Sequence, residues 1–257
     1  MLRVSASAAL RVPQLAPLAA RVTADAGVGT PHVAAVSVAV ADVVVSAPAA
    51  FAAAAHVVKE RIYQQAYVPV PMETRGLVVE WVASTEELTM WASTQTPHEL
   101  RAFAARLLGI PAQRVRVVMR DTGGGFGQKV VPMREDMCIM LAARKVPAAL
   151  KWIEDRRENL IAAGQARHVD GTARIALNDE GTLLAVDIDF VQDVGAYPTP
   201  YPVLTTAAIG MFFPGPYRVP KASFSYQTVF SNTSGLAAYR GSWQYETLTR
   251  EILLDIA

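Results

Sequence analysis

The sequence predicts an α+β fold in which mixed sheets pack against helices. Segments with the alternating pattern of strands and segments with helical periodicity follow one another, but without the regular strand–helix–strand repeat of a doubly wound sheet. Two pairs of alternating segments are joined by short turn sequences, which indicates antiparallel hairpins. The chain has 257 residues, of which 52% are hydrophobic, and this is enough for one large domain or two small ones with a real core.

The first clearly predicted elements are a short helix, a strand and a hairpin. Residues 48–58 are rich in alanine, the strongest helix former, and predict a short helix. Residues 57–68 follow with a strand pattern. Residues 76–93 contain two alternating segments, and they predict a hairpin with its turn at residues 84–86.

A helix beginning at Pro97 has the clearest start and stop signals in the chain. Thr96 is the expected N-cap, Pro97 suits the first helical position, and Glu99 completes a capping-box pattern. Gly109 predicts the end of the helix, and Pro111 prevents its continuation. The apolar positions recur at helical spacing: Leu100, Phe103, Ala104, Leu107 and Leu108.

The middle of the chain predicts a strand, a glycine-rich loop, a helix and a second strand. Residues 115–120 have the strand pattern and lead directly into residues 121–130, the glycine loop. Pro132 precedes an amphipathic pattern at 133–145, which predicts a helix. Residues 148–155 then predict a buried strand.

The last third of the chain predicts a second hairpin, a strand and a C-terminal helix. The hairpin covers residues 171–191 with its turn at 179–181, and residues 224–232 form a further strand. Residues 242–257 predict a helix that Ser242 caps. Its expected apolar face contains Leu248, Ile252, Leu253 and Ile256.

Composition excludes several classes of protein and of site. The 24 basic and 23 acidic residues leave a net charge of +1, without the basic surface expected for binding nucleic acid or a membrane. Cys138 is the only cysteine, which excludes an internal disulfide framework and an iron–sulfur cluster held by four thiolates of this chain. A reducing, cytoplasmic location is therefore expected. The four histidines show no metal-ligand spacing, and no apolar run predicts a membrane span.

Residues 1–47 differ from the rest and are expected to form a poorly defined, Ala/Val-rich leader before a domain at 48–257. No acidic residue precedes Asp25, a composition that resembles an organellar transit peptide. A poorly ordered or imperfectly translated leader is the preferred interpretation. Within it, the apolar residues 33–47 predict one or two strands.

The glycine loop, DTGGGFGQKV, contains four of the 16 glycines within five positions, so its backbone is expected to approach another group closely. A dinucleotide fingerprint fails in both registers, because Gln128 or Val130 stands where the last glycine is needed. A P-loop fails because Lys129 is followed by neither serine nor threonine. A simple strand-to-helix turn with glycines at positive φ is the structural alternative.

The glycine loop is one of an ordered series of motifs. The other members are STQTPHELR (93–101), KWIEDRREN (151–159), RH (167–168), DVGAYP (193–198), FPGPYRVP (213–220) and AYRGSWQYE (238–246). In this order they resemble the molybdenum-cofactor-binding subunit of the molybdenum hydroxylases, the family of xanthine dehydrogenase, aldehyde oxidase and aerobic carbon monoxide dehydrogenase. The resemblance runs from about residue 48 to the end, and it implies the first lobe of the cofactor-binding region without the C-terminal half of the subunit.

The resemblance implies a molybdenum–molybdopterin cofactor, with the cytosine dinucleotide form as one candidate. Gln95 matches a glutamine that hydrogen-bonds an oxo ligand of the metal. Phe126 and Gly127 match a loop whose main-chain amides approach the metal's oxygen and the pterin. Arg240 matches an arginine beside the metal. Gln95, Phe126 and Arg240 are thus expected around the molybdenum, with no direct side-chain ligand. The full set of expected cofactor-binding residues is Gln95, Gly124, Gly125, Phe126, Gly127 and Arg240.

Physical chemistry agrees with these implied roles. Main-chain N–H groups in a glycine loop suit an anionic, oxygen-rich group, and glycines allow the backbone to approach it without a Cβ clash. Arg240 adds a fixed cation before a helix N-terminus, and the neutral amide of Gln95 can donate to an oxo group without protonating it. The loop expected to line the substrate pocket contains Gly241, Ser242 and Trp243.

Several of these residues, taken alone, also fit structural roles. Arg240 fits an ion pair with Glu246, and Trp243 fits a core position. The charged residues 154–158 fit a solvated surface, and Cys138 fits a buried small hydrophobe. Only the ordered combination favours the functional interpretation.

Three departures from the family pattern limit what the resemblance implies. Gly241 stands where carbon monoxide dehydrogenases have a copper-binding cysteine, so a molybdenum–copper centre is not expected. Val130 stands where some purine-oxidising members have a glutamate, which weakens a xanthine assignment. The glutamate general base of a later G-x-G-E-type segment is not recognisable before Ala257, so the base is expected outside this chain.

The implied function is that of an oxidoreductase subunit which oxidises an aldehyde or an N-heterocycle with water as the oxygen source. Electrons would leave through an iron–sulfur small subunit and an FAD-binding medium subunit, so those cofactors are expected only on partners. The alternative is an incomplete, inactive remnant that at most binds the cofactor. A nucleotide-dependent oxidoreductase is disfavoured by the failed glycine patterns.

Overall fold

The computed structural model describes residues 19–23, 35–39, 47–197, 202–241 and 243–257, and these form ten strands and six α-helices. The strands are β1 (Ala19–Thr23), β2 (Ala35–Ala39), β3 (His56–Tyr67), β4 (Gly76–Val82), β5 (Glu87–Ala92), β6 (Val115–Val118), β7 (Leu150–Ile153), β8 (Ala166–Leu177), β9 (Leu183–Asp193) and β10 (Ala222–Val229). The helices are α1 (Ala47–Ala53), α2 (Pro97–Leu108), α3 (Arg134–Ala143), α4 (Arg156–Ala162), α5 (Pro202–Phe212) and α6 (Tyr245–Ile256). The predicted α+β class is confirmed.

The chain divides into two compact units. The first unit contains the described residues up to Tyr67 together with Arg167–Leu236 and Gly241–Ala257. The second unit contains Val68–Ala166 and the short segment Ala237–Arg240.

The first unit is built on a six-stranded mixed sheet with the order β1-β2-β10-β9-β8-β3. Strands β9 and β10 run parallel, whereas β8 pairs with β9 in the antiparallel sense of the predicted hairpin. Alternate residues of β8 and β9 are buried, as expected for strands with one face on a core. The largest fully buried side chains of this core are Phe190, Phe213, Tyr245, Ile175, Ile188, Ile209 and Leu253.

The second unit is built on a four-stranded sheet with the order β6-β5-β4-β7. The predicted hairpin between β4 and β5 is confirmed, with Val82 opposite Glu87 next to its turn. Helices α2 and α3 cover one face of the sheet. The buried residues of the core that these helices form with the sheet are Leu77, Val79, Leu88, Met90, Leu100, Ala104, Ala105, Leu108, Val115, Met140 and Ala143.

Helix α2 begins and ends where the sequence predicts, but its predicted capping box is wrong. Thr96 lies at the N-cap position without a side-chain hydrogen bond to the helix. Its hydroxyl donates instead to the main-chain oxygen of Val130 at 2.5 Å, which ties the start of α2 to the glycine loop. Gly109 ends the helix in the left-handed conformation, with a φ of 67°.

The charged residues 154–158 form a solvated run only in part, because Asp155, Arg157 and Glu158 are exposed whereas Glu154 is buried. Asp155 caps α4 by accepting the N–H of Glu158 at 2.8 Å, and Glu158 accepts the N–H of Asp155 at 2.9 Å. Glu154, the residue before the cap, is only 2% exposed. The segment therefore contains a helix start and one buried carboxylate.

Helix α6 buries only part of the apolar face that the sequence predicts: Leu253 is fully buried and Ile252 packs against the core, but Leu248 and Ile256 do not. Its buried residues are Tyr245, Glu246, Thr249, Arg250 and Leu253. Leu248 and Ile256 are exposed, whereas Arg250 is buried, forms an ion pair with Glu246 and donates to the main-chain oxygen of Phe213 at 3.1 Å. The predicted cap, Ser242, lies outside the described residues, and Gln244 occupies the N-cap position.

Cys138 is exposed on α3, so its predicted burial is wrong. The face of α3 that packs on the sheet contains Met140 and Ala143, and both are fully buried. Helix α5, which follows the second hairpin, was not predicted from the sequence.

Candidate functional site

Gln95 holds the glycine loop of the second unit through three hydrogen bonds. Its own N–H donates to the main-chain oxygen of Lys129 at 2.9 Å. Its side-chain oxygen Oε1 accepts the N–H of Gly127 at 2.9 Å and that of Lys129 at 3.3 Å. A Cβ on Gly125 would lie 2.3 Å from the same oxygen, so glycine is required for this approach.

These contacts fix the direction of the Gln95 amide. Oε1 faces two main-chain donors, and reversing the amide would place its NH₂ group against them. The Gln95 side chain is exposed, and none of the described residues accepts a hydrogen bond from its Nε2. Gln95 thus offers a fixed donor beside the loop.

The glycine loop also presents unused main-chain donors. Among the described residues, none accepts a hydrogen bond from the N–H of Gly124, Gly125 or Phe126. The loop backbone alternates between negative and positive φ, with positive values at Gly124 (92°), Phe126 (53°) and Gly127 (104°). Successive N–H groups in such a backbone form an anion-binding concavity. The N–H of Gly127, expected to face the metal's oxygen, is instead engaged by Gln95.

Arg240 lies against Phe126 in the same unit. Its N–H donates to the main-chain oxygen of Phe126 at 3.0 Å, and its guanidinium carbon lies 5.1 Å from the centre of the Phe126 ring. Next to this contact, a Cβ on Gly127 would lie 2.0 Å from the main-chain oxygen of Ala238. The glycine loop and residues 237–240 are therefore packed backbone to backbone.

Lys129 forms an ion pair with Glu73, whose side chain is partly exposed. The Lys129 side chain is fully buried, and its Nζ donates to Glu73 and to Ser93, each at 2.8 Å. The same Glu73 oxygen accepts the N–H of Gly123 at 2.7 Å. Although burial opposes its ionisation, these hydrogen bonds and the Lys129 charge lower the pKa of Glu73. Glu73 is therefore ionised at neutral pH and joins the two ends of the loop.

A second buried network begins at Gln128, which is completely buried. Its side-chain oxygen accepts from the Asn159 amide at 2.7 Å, and the same Asn159 nitrogen donates to Glu154 at 2.8 Å. Glu154 in turn receives both the N–H and the guanidinium of Arg75. The side-chain amide of Asn159 on α4 thus connects Gln128 of the glycine loop to the buried ion pair between Glu154 and Arg75.

Asp136 at the start of α3 belongs to the same polar region. Burial raises the pKa of Asp136 to about 6, although a hydrogen bond from the Met133 N–H and the charge of Arg75 act in the opposite direction. Glu135 forms a 3.1 Å ion pair with Arg75. The region under the loop therefore contains more acidic than basic groups.

The structure brings together the six residues expected to bind the cofactor, since Gln95, residues 124–127 and Arg240 all lie in the second unit. Of the expected substrate-pocket residues, Gly241 and Trp243 belong to the first unit, and Ser242 lies outside the described residues. Glu246, suggested as an ion-pair partner of Arg240, pairs with Arg250. Trp243 is 41% exposed and not a core residue.

Sequence reasoning missed the supports under the loop. Those residues are Glu73, Lys129, Gln128, Asn159 and Glu154. The glycine motif itself contained one signal: Gln128 and Lys129 continue it as polar residues, and a polar pair between a glycine loop and an apolar stretch indicates buried partners. The identity of those partners depends on contacts between residues 31 to 56 positions apart.

Two features are absent from the described residues. No group of three or more His, Cys, Asp or Glu side chains is arranged to hold a metal ion. No described helix is both long enough and apolar enough to cross a membrane.

A family model for the molybdopterin cofactor-binding domain matches residues 30–255. The chain belongs to this family. The resemblance to molybdenum hydroxylases that the sequence motifs indicated is thereby confirmed. The matched residues include Gln95, the glycine loop and Arg240.

Individual relatives support the same assignment. The domain is 35% identical over 210 residues to the nicotine 6-hydroxylase large subunit of Paenarthrobacter nicotinovorans, covering 80% of this chain and 26% of that protein. It is 34% identical to the carbon monoxide dehydrogenase large chain of Hydrogenophaga pseudoflava, covering 76% and 25%. The crystal structure of quinoline 2-oxidoreductase from Pseudomonas putida 86 matches with a TM-score of 0.77 and 33% identity, covering 82% and 27%. The chain thus spans about a quarter of the length of these relatives.

Proposed function

We propose that this chain holds the molybdenum–molybdopterin cofactor in the large subunit of a hydroxylase that oxidises an aldehyde or an N-heterocycle, with water as the oxygen source. The observation that carries this proposal is the cluster of Gln95, the glycine loop and Arg240, which faces outward with a fixed amide donor and three unused N–H groups. The relatives named for nicotine and quinoline favour an N-heterocycle as the substrate class.

The residues present fit an anionic, oxygen-rich group. Side chains are excluded where the backbone must come close, because a Cβ would clash at Gly125 with Gln95 and at Gly127 with Ala238. The unused N–H groups of Gly124, Gly125 and Phe126 supply donors without a net charge. Nothing in this arrangement requires a side-chain ligand to the metal.

Gln95 and Arg240 would make different contacts with the cofactor. The Gln95 Nε2 would donate to an oxygen of the bound group, and its own Oε1 cannot turn outward because it holds Gly127 and Lys129. Arg240 would supply the positive charge, with its backbone fixed on Phe126. When bound, the cofactor supplies the two-electron redox chemistry, while the protein orients it and provides the surrounding field.

The same resemblance also suggests the partner subunits and the chemical form of the cofactor. We propose that electrons pass to an iron–sulfur subunit and an FAD-binding subunit, since one relative is named subunit gamma of a dehydrogenase complex and others are named large chains. The cytosine dinucleotide form of the cofactor and a cytoplasmic location remain part of this proposal.

The test is molybdenum and pterin analysis of the full chain, purified from cells that supply the cofactor. We expect about one molybdenum per chain, and roughly tenfold less in Arg240→Asn, because a charge-assisted contact is lost. Asparagine is chosen since it tolerates the left-handed backbone found at Arg240, where φ is 51°.

The matched control is Arg116→Asn, an exposed arginine on β6 of the same unit, which should retain the metal. Absence of both molybdenum and pterin from the unmodified chain would instead support the inactive remnant. Retention of full molybdenum by Arg240→Asn would contradict the role given to Arg240.

A further inference from the structure

Gly241, Trp243 and Gln244, here called the pocket segment, lie directly before α6 in the first unit. Gly241 has a φ of 85°, which favours glycine, and Trp243 packs edge-on against Phe212 at the end of α5, with ring centres 5.8 Å apart. The main chain of Trp243 and Gln244 then starts α6 by accepting the N–H groups of Glu246 and Leu248 at 3.0 Å.

Arg167 is the side chain that ties this segment to the sheet. Its Nη1 donates to the main-chain oxygen of Gly241 at 3.0 Å and to the side-chain oxygen of Gln244. One guanidinium nitrogen therefore joins both ends of the pocket segment. Hydrogen bonds from a charged donor are stronger than those between neutral groups.

The backbone at Arg167 is unusual. Arg167 and the next residue, His168, both have positive φ values, of 73° and 60°. Left-handed backbone is unfavourable for residues with a Cβ, and it persists only where the surroundings determine it. Two such residues in succession at the start of β8 need a local cause.

The contacts of His168 supply part of that cause. Its Nδ1 lies 3.0 Å from Asp193, and its ring packs edge-on against Tyr63 at 6.4 Å. Asp193 is itself fixed, because it also accepts the N–H of Gly195 at 2.8 Å and the hydroxyl of Ser231 at 2.6 Å. His168 is thus held on one side of the strand while Arg167 reaches the pocket segment.

We infer that Arg167 is a positioning residue that sets the conformation of the substrate-pocket segment, and that the left-handed Arg167–His168 pair exists to direct its guanidinium there. The assignment of Gly241 and Trp243 to the substrate pocket follows from the family resemblance and rests on the proposed function. The positioning of the segment by Arg167 rests on the contacts alone.

The test measures amide hydrogen exchange in peptides covering 241–246 of the full chain. In Arg167→Gln we expect roughly tenfold faster exchange there, because two hydrogen bonds from a charged donor are lost. Arg61→Gln is the matched control, since Arg61 also donates two side-chain hydrogen bonds in the first unit, both to Asp170, but contacts none of the described residues of the pocket segment. Unchanged exchange in a folded Arg167→Gln chain would overturn the inference.

A second pair of variants tests the backbone argument. His168→Asn keeps a residue that tolerates positive φ, so exchange in 241–246 should stay within about threefold of the original. His168→Val introduces a β-branched residue that opposes this conformation and should raise the exchange rate to that of Arg167→Gln. Equal behaviour of the two His168 variants would show that the left-handed pair does not direct Arg167.

The molybdenum content separates this inference from the proposed function. Arg167→Gln should retain the metal, because Arg167 lies outside the cofactor-binding set. If the unmodified chain contains no molybdenum, the proposed function fails, while the exchange results still decide the role of Arg167.

Discussion

Two glycines, one in each unit, make the same close contact with a main-chain oxygen. A Cβ on Gly127 would lie 2.0 Å from the oxygen of Ala238, and one on Gly195 would lie 2.0 Å from the oxygen of Ser234. Both have positive φ, of 104° and 72°. The steric demand on the two positions is therefore the same.

The supports around the two glycines differ. Gly195 lies at the end of β9, where its neighbour Val194 pairs through the main chain with Val229 and with Leu236. No described strand pairs with the segment around Gly127, and besides its main-chain contact with residues 237–240 the loop is held by the side chains of Gln95, Lys129 and Glu73. Main-chain pairing at the end of a strand, with one hydrogen bond from the Gly195 N–H to Asp193, keeps the first glycine in place, while the second depends mainly on polar side chains. A loop of the second kind can leave its main-chain donors unused.

The largest expected effect comes from adding a methyl group at either glycine. Gly127→Ala and Gly195→Ala should each lower the free energy of unfolding of their unit by at least ~3 kcal/mol, since strain at positive φ adds to an overlap that only backbone movement can relieve. Urea unfolding of the full chain, with hydrogen exchange to identify the affected unit, measures both.

Gly109→Ala is the control for these two variants. Gly109 has a φ of 67° but open space around its Cβ position, so only the conformational cost of about 1 kcal/mol should remain. If Gly109→Ala is as harmful as Gly127→Ala, the clash with Ala238 is not what requires glycine.

An intermediate effect is expected from Asn159→Leu, which removes the link between Gln128 and Glu154. The loss leaves buried polar atoms of both residues without that partner and should cost about 2–3 kcal/mol in the second unit. Exchange should accelerate in residues 123–129 and remain unchanged around Gly195. Asn232→Leu, at an exposed loop position of the first unit, is the matched control and should be nearly neutral.

The smallest effect is a pH dependence of the glycine loop. The pKa of Glu73 is lowered in the folded chain, so its stabilising contribution is present above the ordinary glutamate pKa of 4.5 and is lost as the pH falls through the folded value. Below pH 4.5, exchange in 123–129 should rise about twofold more than intrinsic chemistry accounts for, because Glu73 is partly exposed and its ion pair is screened.

Glu73→Gln serves as the control for the pH effect. Glutamine can still accept the Gly123 N–H but does not titrate, so the additional change below pH 4.5 should disappear. Persistence of the full pH effect in Glu73→Gln would assign it to another group, and Asp136 cannot be that group because its pKa of about 6 lies above this range.

Local patterns in the sequence predicted most of the fold, because they depend on neighbours along the chain. The hairpin around residues 84–86 and the end of α2 at Gly109 are examples, since turn chemistry and a left-handed glycine act locally. Charge patterns misled where burial decides. Residues 154–158 contain five charged side chains, yet Glu154 is buried because Arg75, 79 positions away, supplies its partner.

The sequence indicated which residues belong to the candidate site, but not the hydrogen bonds that they form. Gln95, the glycines and Arg240 were found from ordered motifs, and the structure brings them into one unit. The engagement of the Gly127 N–H by Gln95 was not predictable, since no spacing rule states which of several loop donors a side chain selects. The roles of Arg167 and His168 were also hidden, because a two-residue motif gives no indication of left-handed backbone.

The locked amide of Gln95 gives this surface a fixed chemical polarity. A glutamate at this position would satisfy the same two main-chain donors with one carboxylate oxygen, but it would turn its other oxygen outward where the nitrogen now lies. An attractive contact with an oxygen-rich guest would become a repulsive one through the exchange of a single atom. An oxygen-rich bound group, and not the glycine loop itself, would therefore select amide over acid at residue 95, although the two side chains have nearly the same shape.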